Sequence, residues 1–62
     1  MGVKYTNAEV IGRVIRLGNV LDGELRKNGI TQEDHNAAMR EVFEWARTMM
    51  HNNAAEELAA LH

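Results

Sequence analysis

A stop-and-start signal at residues 28–31 divides this chain into two helical halves. Gly29 is the residue type that commonly ends a helix by adopting the left-handed conformation. Thr31 is a preferred N-cap, and Glu33 and Asp34 follow it where negative charge suits the helix dipole. Because only two or three residues separate the halves, we expect two antiparallel helices, an αα-hairpin.

The first half predicts an amphipathic helix over about residues 8–27. Thr6 and Glu9 have the spacing of a capping box, which marks the start of this helix. At about 100° per residue, the apolar side chains fall on a single stripe. The stripe consists of Val10, Val14, Leu17, Leu21 and Leu25, and Ile11 and Ile15 widen it on one side.

Three glycines fall within this predicted helix, where each costs roughly 0.5–1 kcal/mol relative to alanine. Gly18 lies in the apolar stripe, so we interpret it as a point where another helix approaches closely. Gly12 and Gly23 lie on the polar face. Two interpretations of Gly12 and Gly23 stay open. They make the helix softer, or they form a flat strip of surface on which the backbone of a partner could lie.

The second half predicts a helix over about residues 32–51, with an apolar arc about 160° wide. This arc contains Ala38, Ala46 and the larger side chains His35, Met39, Val42, Phe43, Trp45, Met49 and Met50. A straight continuation would place Glu57 in the middle of the arc. We therefore expect a break at His51–Asn53 and a short third helix over about residues 54–61, whose Leu58 and Leu61 face the hairpin.

The size of the chain favours a partner. With 62 residues it forms one small helical domain, residues 1–62, and buries only about 60% of its unfolded surface. It has no cysteine, so disulfides and thiolate metal sites cannot stabilise it. We expect an all-α hairpin with a short C-terminal helix, completed as a homodimeric helical bundle. The alternative is a monomer whose third helix caps the core.

Composition also limits the location and the class of protein. No apolar run approaches the roughly 20 residues of a membrane span, and we expect a cytoplasmic protein without a membrane partner. The net charge of −2 lacks the basic excess typical of nucleic-acid binding. The first residues, MGVKYT, match the N-myristoylation pattern, but a capping role for Thr6 explains the match equally simply.

The histidines do not have the spacing of a metal site. His35 has Thr31 and Met39 one turn away, so we interpret it as a packed histidine bonded to a backbone or carboxylate acceptor. If it were buried and neutral, its protonation would place a charge in the core, and acid would open the assembly. His51 and His62 are eleven residues apart, across the expected break.

Catalysis has few candidate residues. The Ser/Thr hydroxyls are Thr6, Thr31 and Thr48, and the first two are expected to cap helices. A two-helix unit is also expected to lack a substrate cavity of several hundred Å³. We therefore expect no enzyme activity and no cofactor or metal.

The aromatic and methionine side chains are the best candidates for a binding surface, because methionine is adaptable and tryptophan is enriched at interfaces. Such a stripe is more often core, and both interpretations agree if a second copy completes the core. The predicted interface residues are Val14, Leu17, Gly18, Leu21, His35, Met39, Val42, Phe43, Trp45, Met49 and Met50.

These observations predict a non-enzymatic protein–protein interaction module. It would be an adaptor, regulator or inhibitor of a larger protein, of a kind that phage and mobile elements often encode. An exposed apolar patch at Trp45 or Val20 in the dimer would mark this function. The sequence does not separate it from a structural subunit of a large complex.

The alternative is a DNA-associated regulator that binds through Arg13, Arg16 and Lys27. Residues 28–34 have the outline of a helix-turn-helix turn. The helices flanking this turn are about 20 residues long, however, and Glu33 and Asp34 at the start of the second would face phosphates unfavourably. We therefore rank nucleic acid below protein as the partner.

Overall fold

The computed structural model describes residues 4–61, and over this range the chain consists of two helices and no strand. Helix α1 spans Asn7–Arg26 and helix α2 spans Gln32–Ala60. The two helices pack against each other in antiparallel directions. The all-α helical hairpin expected from the sequence is confirmed. Gly2 of the lipidation pattern and His62 lie outside the described residues.

Side-chain caps begin both helices. The Glu9 amide donates to the Thr6 hydroxyl at 3.2 Å, and the Glu9 carboxylate accepts from the Thr6 amide at 3.2 Å, which completes the capping box. The Asp34 amide likewise donates to the Thr31 hydroxyl at 3.1 Å. Each cap satisfies an amide that has no acceptor within its own helix. Helix α1 is shifted by one residue from the prediction: it begins at Asn7 and ends at Arg26, whereas the predicted range is about residues 8–27.

In the turn after α1, the residue with the left-handed conformation is not the predicted one. Asn28, with φ of 61°, takes the left-handed conformation, and no glycine between residues 4 and 61 does so. The Gly29 amide donates to the Glu24 carbonyl at 2.8 Å, and the Asn28 amide to that of Leu25 at 3.1 Å. This is a Schellman motif, with asparagine at its left-handed position. A Cβ at position 29 would be in ordinary contact with the Glu24 carbonyl at 3.4 Å and would require the flexible Glu24 carboxylate to shift.

The predicted break at His51–Asn53 is wrong, because α2 continues unbroken to Ala60. Asn53 does not cap a third helix. Its side-chain amide instead donates to the Tyr5 carbonyl at 2.8 Å and to the Asn7 side-chain oxygen at 3.0 Å. The amide therefore ties the C-terminal third of α2 to the start of α1.

We expected the break at His51–Asn53 because a straight helix would have buried Glu57. At 1.5 Å per residue, α2 is about 43 Å long and α1 about 30 Å, so α2 extends past the first residue of α1. Glu57 is exposed there, and its carboxylate stays hydrated at no desolvation cost. Leu58 and Leu61 are 61% and 82% exposed and do not cover the hairpin.

The hairpin has almost no core. Among residues 4–61, only Val10 and Ala46 are buried, at 0% and 8% exposure. The radius of gyration is 14.6 Å, against about 11 Å for a compact chain of this length. Two helices side by side bury one narrow seam and leave two broad faces open.

Candidate interaction surface

Contacts between the helices set their register. Asp22 lies beside His35, and the position of a Cβ on Gly18 lies 3.7 Å from the terminal methyl group of Met39. Moving one residue back along α1 therefore moves one residue forward along α2. This register places Ile15 level with Val42, the neighbour of Phe43 in the sequence. The side chains beside the seam divide between the two broad faces of the hairpin.

The first face contains an apolar groove, which we call the Trp45 groove. Its volume is about 350 Å³. It is lined by Leu17, Val20, Leu21, Ala38, Glu41, Val42 and Trp45. Leu17 and Val20 are 43% and 57% exposed, so their apolar surface is available to another molecule. Four of the predicted interface residues meet here: Leu17, Leu21, Val42 and Trp45.

The segment before α1 lies against this same face. The Tyr5 ring packs edge-to-face on Trp45 with 5.7 Å between centroids, and the Arg13 guanidinium stacks over Tyr5 at 4.4 Å. Lys4 forms an ion pair with Glu56 on α2. Residues 4–6, which we call the strap, therefore cover one end of the Trp45 side. No pattern in the sequence predicted that Tyr5 packs on Trp45.

The opposite face is apolar and uncovered, and we call it the Phe43 face. It consists of Ile11, Ile15, Gly18, Met39 and Phe43. Ile11, Ile15 and Phe43 are 48%, 59% and 56% exposed. They share one side because the Met39 side chain of α2 lies beside Gly18 of α1, 3.7 Å from the position of a Cβ, and Ile11 and Ile15 lie on the same side of α1 as Gly18.

The predicted interface set omitted both isoleucines of the Phe43 face. They had been placed at the edge of the stripe on α1, and the widening of that stripe was the available signal. Val14, Met49 and Met50, which were in the set, are half-buried.

Gly18 is not required by the packing of the hairpin. The nearest neighbour of a Cβ at this position is the Met39 methyl group at 3.7 Å, an ordinary van der Waals distance. The backbone of α2 does not lie within 4 Å of that position. Alanine would therefore fit in the isolated hairpin, and α2 is not the closely approaching helix that the sequence suggested.

His35 is a packed histidine whose ring nitrogen bonds to a carboxylate, as the sequence predicts. Its Nε2 lies 2.7 Å from an Asp22 side-chain oxygen, and its side chain is 15% exposed. The premise of the acid-opening prediction is not met. His35 is half-buried and lies beside the Asp22 carboxylate, so it is not an isolated side chain in an apolar core.

The basic residues of α1 do not form a single free cluster. Arg13, Arg16 and Lys27 are all exposed, but Arg13 is stacked on Tyr5. Arg16 and Lys27 are eleven residues apart, or about 16 Å along the helix. They could contact phosphates electrostatically, without a preformed pocket.

The hairpin has open clefts on its surface, and the expectation that it lacks a substrate cavity of several hundred Å³ stays a prediction. Besides the Trp45 groove, an open cleft of about 460 Å³ lies beside the strap. Its lining includes Asn7, Asn53, Glu57 and the Thr6 hydroxyl, which the capping box already engages. Between residues 4 and 61, no three His, Asp or Glu side chains converge on a common metal position. Neither helix has the length and apolar character of a membrane span.

By its fold and surface this chain is an all-α helical hairpin with two apolar faces, of which the Trp45 side is partly covered by the strap and the Phe43 face is uncovered. No family model, no curated protein and no solved structure matches this chain. Its function must therefore be argued from the geometry of these two faces.

Proposed function

We propose that this chain is a non-enzymatic protein–protein interaction module that works as a homodimer and acts as an adaptor, regulator or inhibitor of a larger protein. One observation carries the proposal. The described part of the chain buries only Val10 and Ala46, while seven large apolar side chains are exposed. Such a surface is typical of a subunit whose core is completed by association.

The exposed area supports the same conclusion. The accessible surface is 5178 Å², whereas the scaling for folded monomers gives about 4,000 Å² at 7.0 kDa. The excess is roughly 1,100 Å², and one partner of a standard-size interface buries about 800 Å². Pairing two hairpins face to face would remove surface on this scale and produce a four-helix bundle.

The monomeric alternative loses its structural basis. It required a third helix folded back over the core, but α2 is continuous and Leu58 and Leu61 are exposed. No described segment of the chain remains to cover both faces.

The Trp45 groove is the proposed contact for the larger protein. Its apolar walls suit a large aliphatic or aromatic side chain, and Glu41 on its wall suits a neighbouring Lys or Arg. A helix or extended segment that carries such a pair would fit the groove. Trp45 and Val20 are the residues expected from the sequence to mark a partner patch.

Sedimentation equilibrium across the micromolar range tests the proposal. We expect a species of twice the 7.0 kDa chain mass that dissociates reversibly on dilution. A mass of one chain at every concentration, with the helical circular dichroism intact, would contradict it.

The alternative of a DNA-associated regulator has weaker support, because Arg13 is engaged with Tyr5. Binding to duplex DNA that weakens steeply with added salt would favour it. Absence of binding at low salt would exclude it.

A further inference from the structure

We propose that the second copy of this chain packs on the Phe43 face, around a two-fold axis, and leaves the Trp45 groove open. This inference rests on the proposed homodimer and adds which face each copy uses. The two faces are separate targets for substitution, because Ile15 and Val20 are about 140° apart around α1.

A two-fold dimer of hairpins covers one broad face of each copy. A standard-size interface accounts for most of the excess surface of roughly 1,100 Å². One face is therefore enough, and the other remains for a different molecule. The occupant of the covered face must be self-complementary, since a two-fold interface places the same patch on both sides.

The strap distinguishes the faces. On the Trp45 side, Tyr5 packs on Trp45, and the Lys4–Glu56 ion pair holds the strap alongside α2. A second hairpin seated flat on that side would meet the strap first. No segment between residues 4 and 61 lies over Phe43 or Ile15, which are 56% and 59% exposed.

The charges bordering each face favour the same assignment. Arg40, Glu44 and Arg47 surround Phe43, and none of them belongs to the ion pairs of the described residues, which are Lys4–Glu56 and Asp22–His35. Because these side chains include positive and negative charges, those of one copy can form ion pairs with those of a second copy across a two-fold axis. In the Trp45 groove, Glu41 is the one charged side chain of the lining, and a two-fold axis through the groove would bring two Glu41 carboxylates together.

Gly18 lies on the Phe43 face, between Ile15 and Met39. The hairpin itself has room for a Cβ at this position, so its own packing does not explain a residue that weakens the helix. A second copy that approaches closely at this point would explain the glycine.

Two matched variants test the assignment. Ile15 and Val20 are both β-branched residues of α1, with 59% and 57% exposure, so Ile15→Glu and Val20→Glu add the same charge to equally exposed sites. We expect Ile15→Glu to raise the dimer dissociation constant more than about 100-fold, because two carboxylates would be buried at one interface. Val20→Glu should change it by less than about three-fold. Sedimentation equilibrium measures both constants.

A mixing experiment covers the case in which Ile15→Glu alone fails to fold. An equimolar mixture of Ile15→Glu and Ile15→Lys chains should associate more strongly than either variant alone, because the introduced charges then have opposite signs within the same interface. If the wild-type chain dimerises but Val20→Glu, and not Ile15→Glu, dissociates it, the face assignment is wrong and the homodimer stands. If the mixture does not associate, or if both variants dissociate the dimer equally, the assignment is also overturned. A monomeric wild-type chain would refute the proposed homodimer itself.

Discussion

At the scale of single residues, Gly12 and Gly23 give the simplest test of what the helix requires. Nothing lies within 4 Å of the position of a Cβ at either site. We therefore expect Gly12→Ala and Gly23→Ala each to raise the free energy of unfolding by about 0.5–1 kcal/mol, through helix propensity and reduced freedom of the unfolded chain. Urea unfolding monitored by circular dichroism measures both changes.

Gly29→Ala is the comparison outside the helices. A Cβ there would be in ordinary contact with the Glu24 carbonyl at 3.4 Å and would require the Glu24 carboxylate to move aside, so we expect this variant to gain less stability than Gly12→Ala or Gly23→Ala. Destabilisation by Gly12→Ala would contradict the softer-helix interpretation. It would instead favour a flat strip against which a partner's backbone lies.

The helix caps were predictable residue by residue because they depend on contacts three positions apart. Thr6, Glu9 and Thr31 act as their spacing indicated. The left-handed residue was not assigned correctly, since asparagine and glycine are both common at that position and adjacent residues compete for it. The structure shows that Asn28, and not Gly29, takes the left-handed conformation, and this choice is a feature of the folded turn.

At the scale of elements, the continuity of α2 is the main departure from the sequence prediction. Asn52 is exposed in mid-helix, and none of its side-chain atoms forms a hydrogen bond with residues 4–61. Asn52→Ala should therefore raise stability by up to about 0.5 kcal/mol and leave the helical content at least as high. Urea unfolding and backbone carbon chemical shifts test this. Non-helical shifts over residues 51–54 would show that the helix breaks there.

The sequence could not establish this continuity, because the cost assigned to Glu57 depended on what lies opposite it. Periodicity places Glu57 in the apolar arc correctly, but it does not reveal that α1 begins too late to cover that turn. Which residues lie opposite one another depends on the register of the two packed helices. That register is fixed by long-range contacts such as the one from Asn53 to Tyr5.

At the scale of the whole molecule, the sequence predicted two helices and more apolar surface than one hairpin can cover. It did not separate that surface into two faces, because the division follows from which side chains enter the seam. Thus Trp45 and Phe43 belonged to one predicted set but lie on opposite sides of the hairpin. The position of Met39 beside Gly18 shows that Ile11 and Ile15 lie on the same side as Phe43.

The central claim is that a second copy supplies the core that the hairpin lacks, and the concentration dependence of thermal unfolding tests it most directly. Because dissociation and unfolding would then be coupled, a hundredfold increase in protein concentration should raise the midpoint temperature by roughly 10 °C. A midpoint that is the same at both concentrations, with full helical signal below it, would mean that a single hairpin is stable on its own and would contradict the claim.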